Sequence, residues 1–127
     1  LAGVKGIFKR FSSECETADK HREEELQTHY FKTSLDKVFS EVKRYYSSSE
    51  YTITSESPEH GEIMIQKKSS PKMFIIATIV SVRPLHTAVD IKASTEQTVI
   101  GGAYPKLKQE ILSCYKALGQ QMRRADS

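Results

Sequence analysis

Hydrophobic residues recur with two distinct periods along this chain. Leu35, Val38, Phe39, Val42 and Tyr46 repeat at helical spacing, with Lys37, Glu41, Lys43 and Arg44 between them. This predicts an amphipathic helix with those four charged residues on its wet side. Thr33 and Asp36 have the spacing of a capping box at its start, and Ser47–Ser49 mark its end. A second helical stripe runs through Leu107, Ile111, Cys114, Tyr115, Leu118 and Met122. Pro105 suits the first turn of that helix, and Arg123 and Arg124 suit the negative end of its dipole.

Between the helices the period falls to two. Tyr51 and Ile53 alternate with Thr52 and Thr54, and Ile63 and Ile65 alternate likewise after the turn residues Ser57-Pro58-Glu59-His60-Gly61. These runs predict a hairpin. Met73–Val82 is apolar on both faces, with Phe74, Ile76, Val80 and Val82 opposite Ile75, Ala77 and Ile79. Its β-branched character predicts a long strand. Arg83-Pro84-Leu85-His86 then turns into Thr87–Ser94, where Val89 and Ile91 face inward. A short strand over Thr28–Lys32 precedes the first helix. The expected order is strand, helix, four strands, helix. An α+β domain follows, a twisted antiparallel sheet with both amphipathic helices packed on one face. Val38, Phe39, Val42, Ile63, Ile65, Ile75, Ile79, Val89, Ile91, Leu107, Ile111 and Leu118 are the expected core.

The first 25 residues read differently. Leu1, Val4, Phe8 and Phe11 share a helical face, with Lys5, Lys9 and Arg10 elsewhere. That pattern suits a short interfacial segment, a tail packing on its own domain, or a contact with a partner subunit. Val4, Lys5, Phe8, Lys9, Arg10 and Phe11 are therefore the candidate membrane- or partner-contact residues. Glu14, Glu16, Asp19, Glu23, Glu24 and Glu25 follow, against only Lys20 and Arg22, with almost no apolar anchors. This predicts a solvated linker, so the expected division is residues 1–25 as N-terminal segment and linker, and 26–127 as a single domain.

At 127 residues the chain has the size of one domain, and a hydrophobic content of 38% against 28% charged residues argues against wholesale disorder. A net charge of +3 does not by itself call for nucleic acid. Lys67, Lys68, Lys72, Lys106 and Lys108 lack interleaved aromatic platforms, so no nucleic-acid partner is expected. No apolar run approaches the ~18 residues that span a bilayer. The two cysteines, Cys15 and Cys114, form no disulfide or metal-ligand spacing, and a reducing cytoplasm is the simplest compartment.

Two stretches carry a family resemblance. His29-Tyr30-Phe31-Lys32-Thr33-Ser34 is followed by a helix and then Gly61-Glu62-Ile63, and Thr87-Ala88-Val89-Asp90-Ile91-Lys92-Ala93-Ser94 leads through a glycine-containing loop to the last helix. Over residues 26–120 the chain resembles small uncharacterised bacterial cytosolic proteins similar to domain of unknown function 1499. The resemblance implies the α+β fold and a bacterial cytosolic origin, and no activity. Where that family is rich in Arg and Ser after the last strand, this chain has Lys92-Ala93-Ser94-Thr95-Glu96. Glu96 in place of an Arg removes an anion contact.

Signatures of catalysis are missing from the sequence: there is no Walker loop, GxSxG, HExxH or GxGxxG fingerprint. His86 and Asp90 share a strand face but stand about 13 Å apart by strand rise. The loop Thr95–Gly102 is the longest irregular stretch, and Gly101-Gly102 precedes a helix N-terminus where backbone N–H groups can receive an anion. Ser94, Thr95, Gly101, Gly102 and Ala103 are the candidate ligand-binding residues. The expected function is a non-enzymatic binding or interaction domain without metal or cofactor. Its partner is another protein, a second copy, or weakly the cytoplasmic membrane face through residues 1–11. The alternative is a small-molecule-binding domain with an apolar cavity between sheet and helices.

Overall fold

The computed structural model describes residues 13–125. Val4, Lys5, Phe8, Lys9, Arg10 and Phe11 lie outside the described residues. The elements are β1 (Glu14–Glu16), a 3-10 turn (Glu24–Leu26), β2 (His29–Phe31), α1 (Leu35–Tyr45), β3 (Tyr51–Ser57), β4 (Glu62–Lys67), β5 (Met73–Arg83), β6 (His86–Ser94), α2 (Tyr104–Gln121) and β7 (Arg124–Ala125). The α+β class holds. A seven-stranded antiparallel sheet runs in the order β3-β4-β5-β6-β2-β7, and β1 joins β6 on the edge that β2 also uses.

Strand parity decides which side is covered. Ile63, Ile65, Met73, Ile75, Ala77, Ile79, Val89, Ile91 and Ala93 all point to one face, and α1 and α2 lie on it. All twelve expected core residues are buried there. On the other face Phe74, Val80 and Val82 are about half exposed. Gly61 closes the β3–β4 hairpin at φ +65°, and its carbonyl accepts the Ile79 N–H at 2.7 Å. A Cβ there would stand 2.0 Å from the Ile79 carbonyl oxygen, so only glycine fits.

Three features differ from expectation. The described part of the acidic stretch is not a linker: Glu14, Cys15 and Glu16 pair with Ser94, Ala93 and Lys92 of β6, and Cys15 is buried. Its charges are matched from far along the chain, Lys92 with Glu14 at 3.4 Å and Lys108 with Glu23 at 2.7 Å and Glu25 at 2.5 Å. The domain therefore starts before Leu26. The helix α1 begins one residue later than the capping box implies, with Ser34 Oγ accepting the Lys37 N–H, and Glu41 is buried rather than wet because Lys37 neutralises it at 3.1 Å. Finally, Met122 turns the chain out of α2, so that Arg124 joins β7 beside β2 instead of capping the helix dipole.

A chain truncated to start at Leu26 should lose β1, the buried Cys15 and the Glu23–Lys108 pair. Its urea midpoint is expected well below that of a chain starting at Ser13. Ile111→Ala and Leu118→Ala should each cost about 2–5 kcal/mol, read from the same denaturation curves. Gly61→Ala should cost more than ~1 kcal/mol, because neither its φ nor the Ile79 carbonyl can yield cheaply.

Candidate functional site

β2 holds a polar residue where its parity calls for an apolar one. His29 and Phe31 point to the helix side of the sheet while Thr28 and Tyr30 point to the other, and Phe31 is fully buried. The His29 imidazole lies flat on the Tyr115 ring, with centroids 3.5 Å apart and planes 10° from parallel. Tyr115 is held in turn by α2 and by its hydroxyl, which donates to the Val89 carbonyl at 2.7 Å. His29 Nδ1 is buried and has no hydrogen-bond partner.

This stacked pair forms the floor of a groove of about 830 Å³. The 3-10 turn supplies Glu24 and Glu25, α2 supplies Leu112, Lys116 and Gly119, and β7 supplies Arg124. Gly119 leaves the rim open, since a Cβ there would meet no atom within 4 Å.

Burial, and then the nearby Arg124 guanidinium, lower the His29 pKa to about 4. The imidazole is thus neutral at physiological pH. Glu25 is engaged by Lys108, which also holds Glu23. Among the described residues Glu24 and Lys116 have no ion-pair partner, and the Arg124 guanidinium sits 5.9 Å from the Phe31 ring centroid. The groove therefore presents one unmatched carboxylate near the 3-10 turn and two cations near the end of α2.

The loop residues expected to bind a ligand have structural partners. Thr95 is buried, its N–H donates to the Ser13 carbonyl at 3.0 Å, and its hydroxyl donates to the Lys72 carbonyl at 2.6 Å. The Gly102 N–H donates to the Val99 carbonyl at 2.9 Å, and Gly101 and Gly102 take φ of 84° and 99° to make that turn. Ser94 pairs with Glu14 and Phe74 in the sheet, and Ala103 caps α2 with its carbonyl accepting from Lys106 and Leu107. One of the amides expected to face an anion is thus already committed.

Other chemistry-bearing side chains are separated or satisfied. Asp90 Oδ1 accepts the hydroxyls of Thr17 at 2.7 Å and Thr28 at 2.6 Å, and His86 packs near Tyr30 instead. The Cys114 thiol is pushed up to about 12 by burial, which makes it a poor nucleophile. Burial also raises the Glu110 carboxyl, which accepts the Tyr51 hydroxyl at 2.6 Å. Among the described residues no cluster of three His, Cys, Asp or Glu side chains stands ready to hold a metal.

Comparison with family models, with curated proteins and with solved structures found no match. His29 was not among the candidate site residues that the sequence offered. Its signal was parity: in Thr28-His29-Tyr30-Phe31 the position shared with Phe31 faces inward.

A pH dependence follows from the depressed imidazole pKa. The unfolded chain takes up a proton at His29 near pH 6.5 and the folded chain only near 4. Stability contributed by the neutral ring is present above about 6.5 and lost as pH falls toward 4. His29→Gln should flatten that part of a stability–pH curve measured by denaturant titration. Gly119→Ala should raise stability by roughly 0.5–1 kcal/mol, because a helical glycine with open space loses only backbone freedom to alanine.

Proposed function

We propose that this chain is a non-enzymatic binding domain whose ligand site is the groove between the 3-10 turn, β2, α2 and β7. One observation carries the reading: a neutral imidazole with an unpartnered, buried Nδ1 is fixed on Tyr115 at the floor of an 830 Å³ groove. Binding sites commonly join an apolar or aromatic floor to a few polar groups placed to fix orientation. The lining adds charges of both signs, Glu24 at one side and Lys116 and Arg124 at the other. A small zwitterion such as an amino acid or short peptide matches that arrangement. Its carboxylate would face Arg124 and Lys116, its ammonium Glu24, and its polar backbone the His29 ring. An apolar cavity between sheet and helices has less support, since Val38, Ile75, Ile91 and Ile111 already fill that layer.

No helix among the described residues is long and apolar enough to cross a membrane. A bacterial, cytoplasmic location belongs to the same proposal and rests on the family resemblance. Contact with the membrane face would fall to residues 1–11.

NMR titration with free amino acids and with di- and triglycine tests the site. The ring signals of His29 and Tyr115 should move in the native chain. Gly119→Trp should abolish those shifts while leaving the fold intact, because its side chain enters open groove space. Ring signals that stay still through the whole panel would remove the zwitterion reading. Shifts that persist in Gly119→Trp would move the site elsewhere.

A further inference from the structure

The face of the sheet turned away from the helices is too apolar to be a finished surface. Along β5, Phe74, Val80 and Val82 are 48%, 51% and 50% exposed, and Ile76 between them is partly so. Met64 of β4, 39% exposed, stands directly across from Ile76. A strand apolar on both sides is the mark of a sheet layered on both faces. This row extends for about 27 Å, and the strands that flank it widen the face to about 19 Å. Two such faces laid together cover roughly 1,000 Å², the lower bound of a specific interface.

The row is complementary to itself when reversed. Phe74 and Ile76 precede Thr78, and Val80 and Val82 follow it, a larger apolar pair and a smaller one on either side of a hydroxyl. Turned end for end over a copy of itself, the larger pair meets the smaller, as side chains of packed sheets do when they interdigitate. Thr78 then faces its own counterpart, and a hydroxyl can donate and accept at once. A two-fold axis in the plane between the sheets produces this arrangement and closes it after two copies.

Charge on the flank is arranged in the same sense. β1 runs beside the Phe74 half of the row, with Glu14 level with Phe74 and Glu16 level with Ile76 across β6. Cys15 between them is buried on the helix side, so both carboxylates belong to the open face, where Glu14 meets Lys92 at 3.4 Å. β2 runs beside the other half, with Tyr30 level with Val80 across β6. Lys32, next on that side, donates its N–H to the Arg123 carbonyl at 2.9 Å. Lys32, Arg83 and Arg123 are exposed at this end, and among the described residues they and Glu16 stand in no ion pair. The reversal that matches the apolar row also sets the acidic flank of each copy on the basic flank of the other. Opposing it are Glu62 and Asp90, level with Thr78, which meet their own counterparts near the axis. Asp90 is already held by the Thr17 and Thr28 hydroxyls.

We propose that the open face of the sheet is an interface between two copies of this chain, with β5 stacked antiparallel on β5 across a two-fold axis at Thr78. The inference is independent of the groove, which lies on the helix side of each copy. An area at the lower bound and like charge near the axis make the association weak and dependent on concentration.

Sedimentation equilibrium of the full chain, loaded from about 1 μM to about 1 mM, tests the interface. The weight-average mass should climb from 14.4 kDa toward twice that value. Val80→Asp should hold it at the mass of one chain throughout, with the urea midpoint unchanged because Val80 is half in water. Glu16→Lys and Lys32→Glu should each weaken association several-fold, and the double variant should restore it, since the swap rebuilds the same contact in reverse. Glu62→Gln, which removes like charge near the axis, should tighten it several-fold. Should Val80→Asp lose its cooperative urea transition, the charge variants decide alone. A native chain that keeps the mass of one copy up to the highest concentration would overturn the proposal. So would a dimer indifferent to Val80→Asp, a double reversal no tighter than either single one, or a Glu62→Gln chain no tighter than the native.

Discussion

Every strand contact on one side of this sheet passes through a single seam on β6. One edge of β6 is taken along its length by β5, but the other is divided: β1 pairs with residues 92–94 and β2 with residues 87–89. Where two strands meet end to end, the backbone between them stands to lose its partners, and an unpaired buried amide is costly. Thr17 closes that gap. Its N–H donates to the Ile91 carbonyl at 3.0 Å, and its hydroxyl accepts the Ile91 N–H at 2.9 Å while donating to Asp90. Thr28 completes the joint by donating to the same Asp90 oxygen. One carboxylate thereby ties the end of β1, the start of β2 and the middle of β6.

The groove depends on that joint. Thr28 is anchored to Asp90, so His29 beside it is delivered to the helix side in fixed register opposite Val89. Tyr115 is anchored to the Val89 carbonyl, so both rings of the stack take their position from one residue of β6. Arg124 arrives through β7, which pairs with the outer edge of β2. Floor and basic rim are therefore referenced to adjacent strands rather than to mobile loops, the arrangement that favours a preorganised site.

The elements with long periods were legible in the sequence, and those held by a partner were not. Val38, Phe39 and Val42 on α1, and Leu107, Ile111 and Leu118 on α2, declare their buried face by spacing alone. So do Ile63, Ile65, Ile75 and Ile79 on the strands. In contrast, Glu14-Cys15-Glu16 and Arg124-Ala125 are too short to show any period. They are strands because β6 and β2 offer unfilled edges, a fact of tertiary structure. Charge misled for a related reason: Glu23 and Glu41 look solvated until Lys108 and Lys37 are brought to them. The groove stayed hidden because Glu24, His29, Tyr115 and Arg124 meet only after α2 and β7 have docked.

The ends of the sheet bear on how this molecule behaves in a crowded solution. A sheet edge with a long, straight run of free amides is a template on which another chain can grow. Here one edge is shared by β7, two residues long, and β1, three residues long. The other is β3, whose pairing is broken by a bulge between Ile53 and Ser55 and whose outer end carries Glu56 tied to Lys43 at 3.0 Å. Neither offers the uninterrupted ladder that stacking demands. The fold can thus leave its longest apolar strand, β5, in the middle of the sheet, where its backbone is already spoken for and fibre-like growth has no starting point.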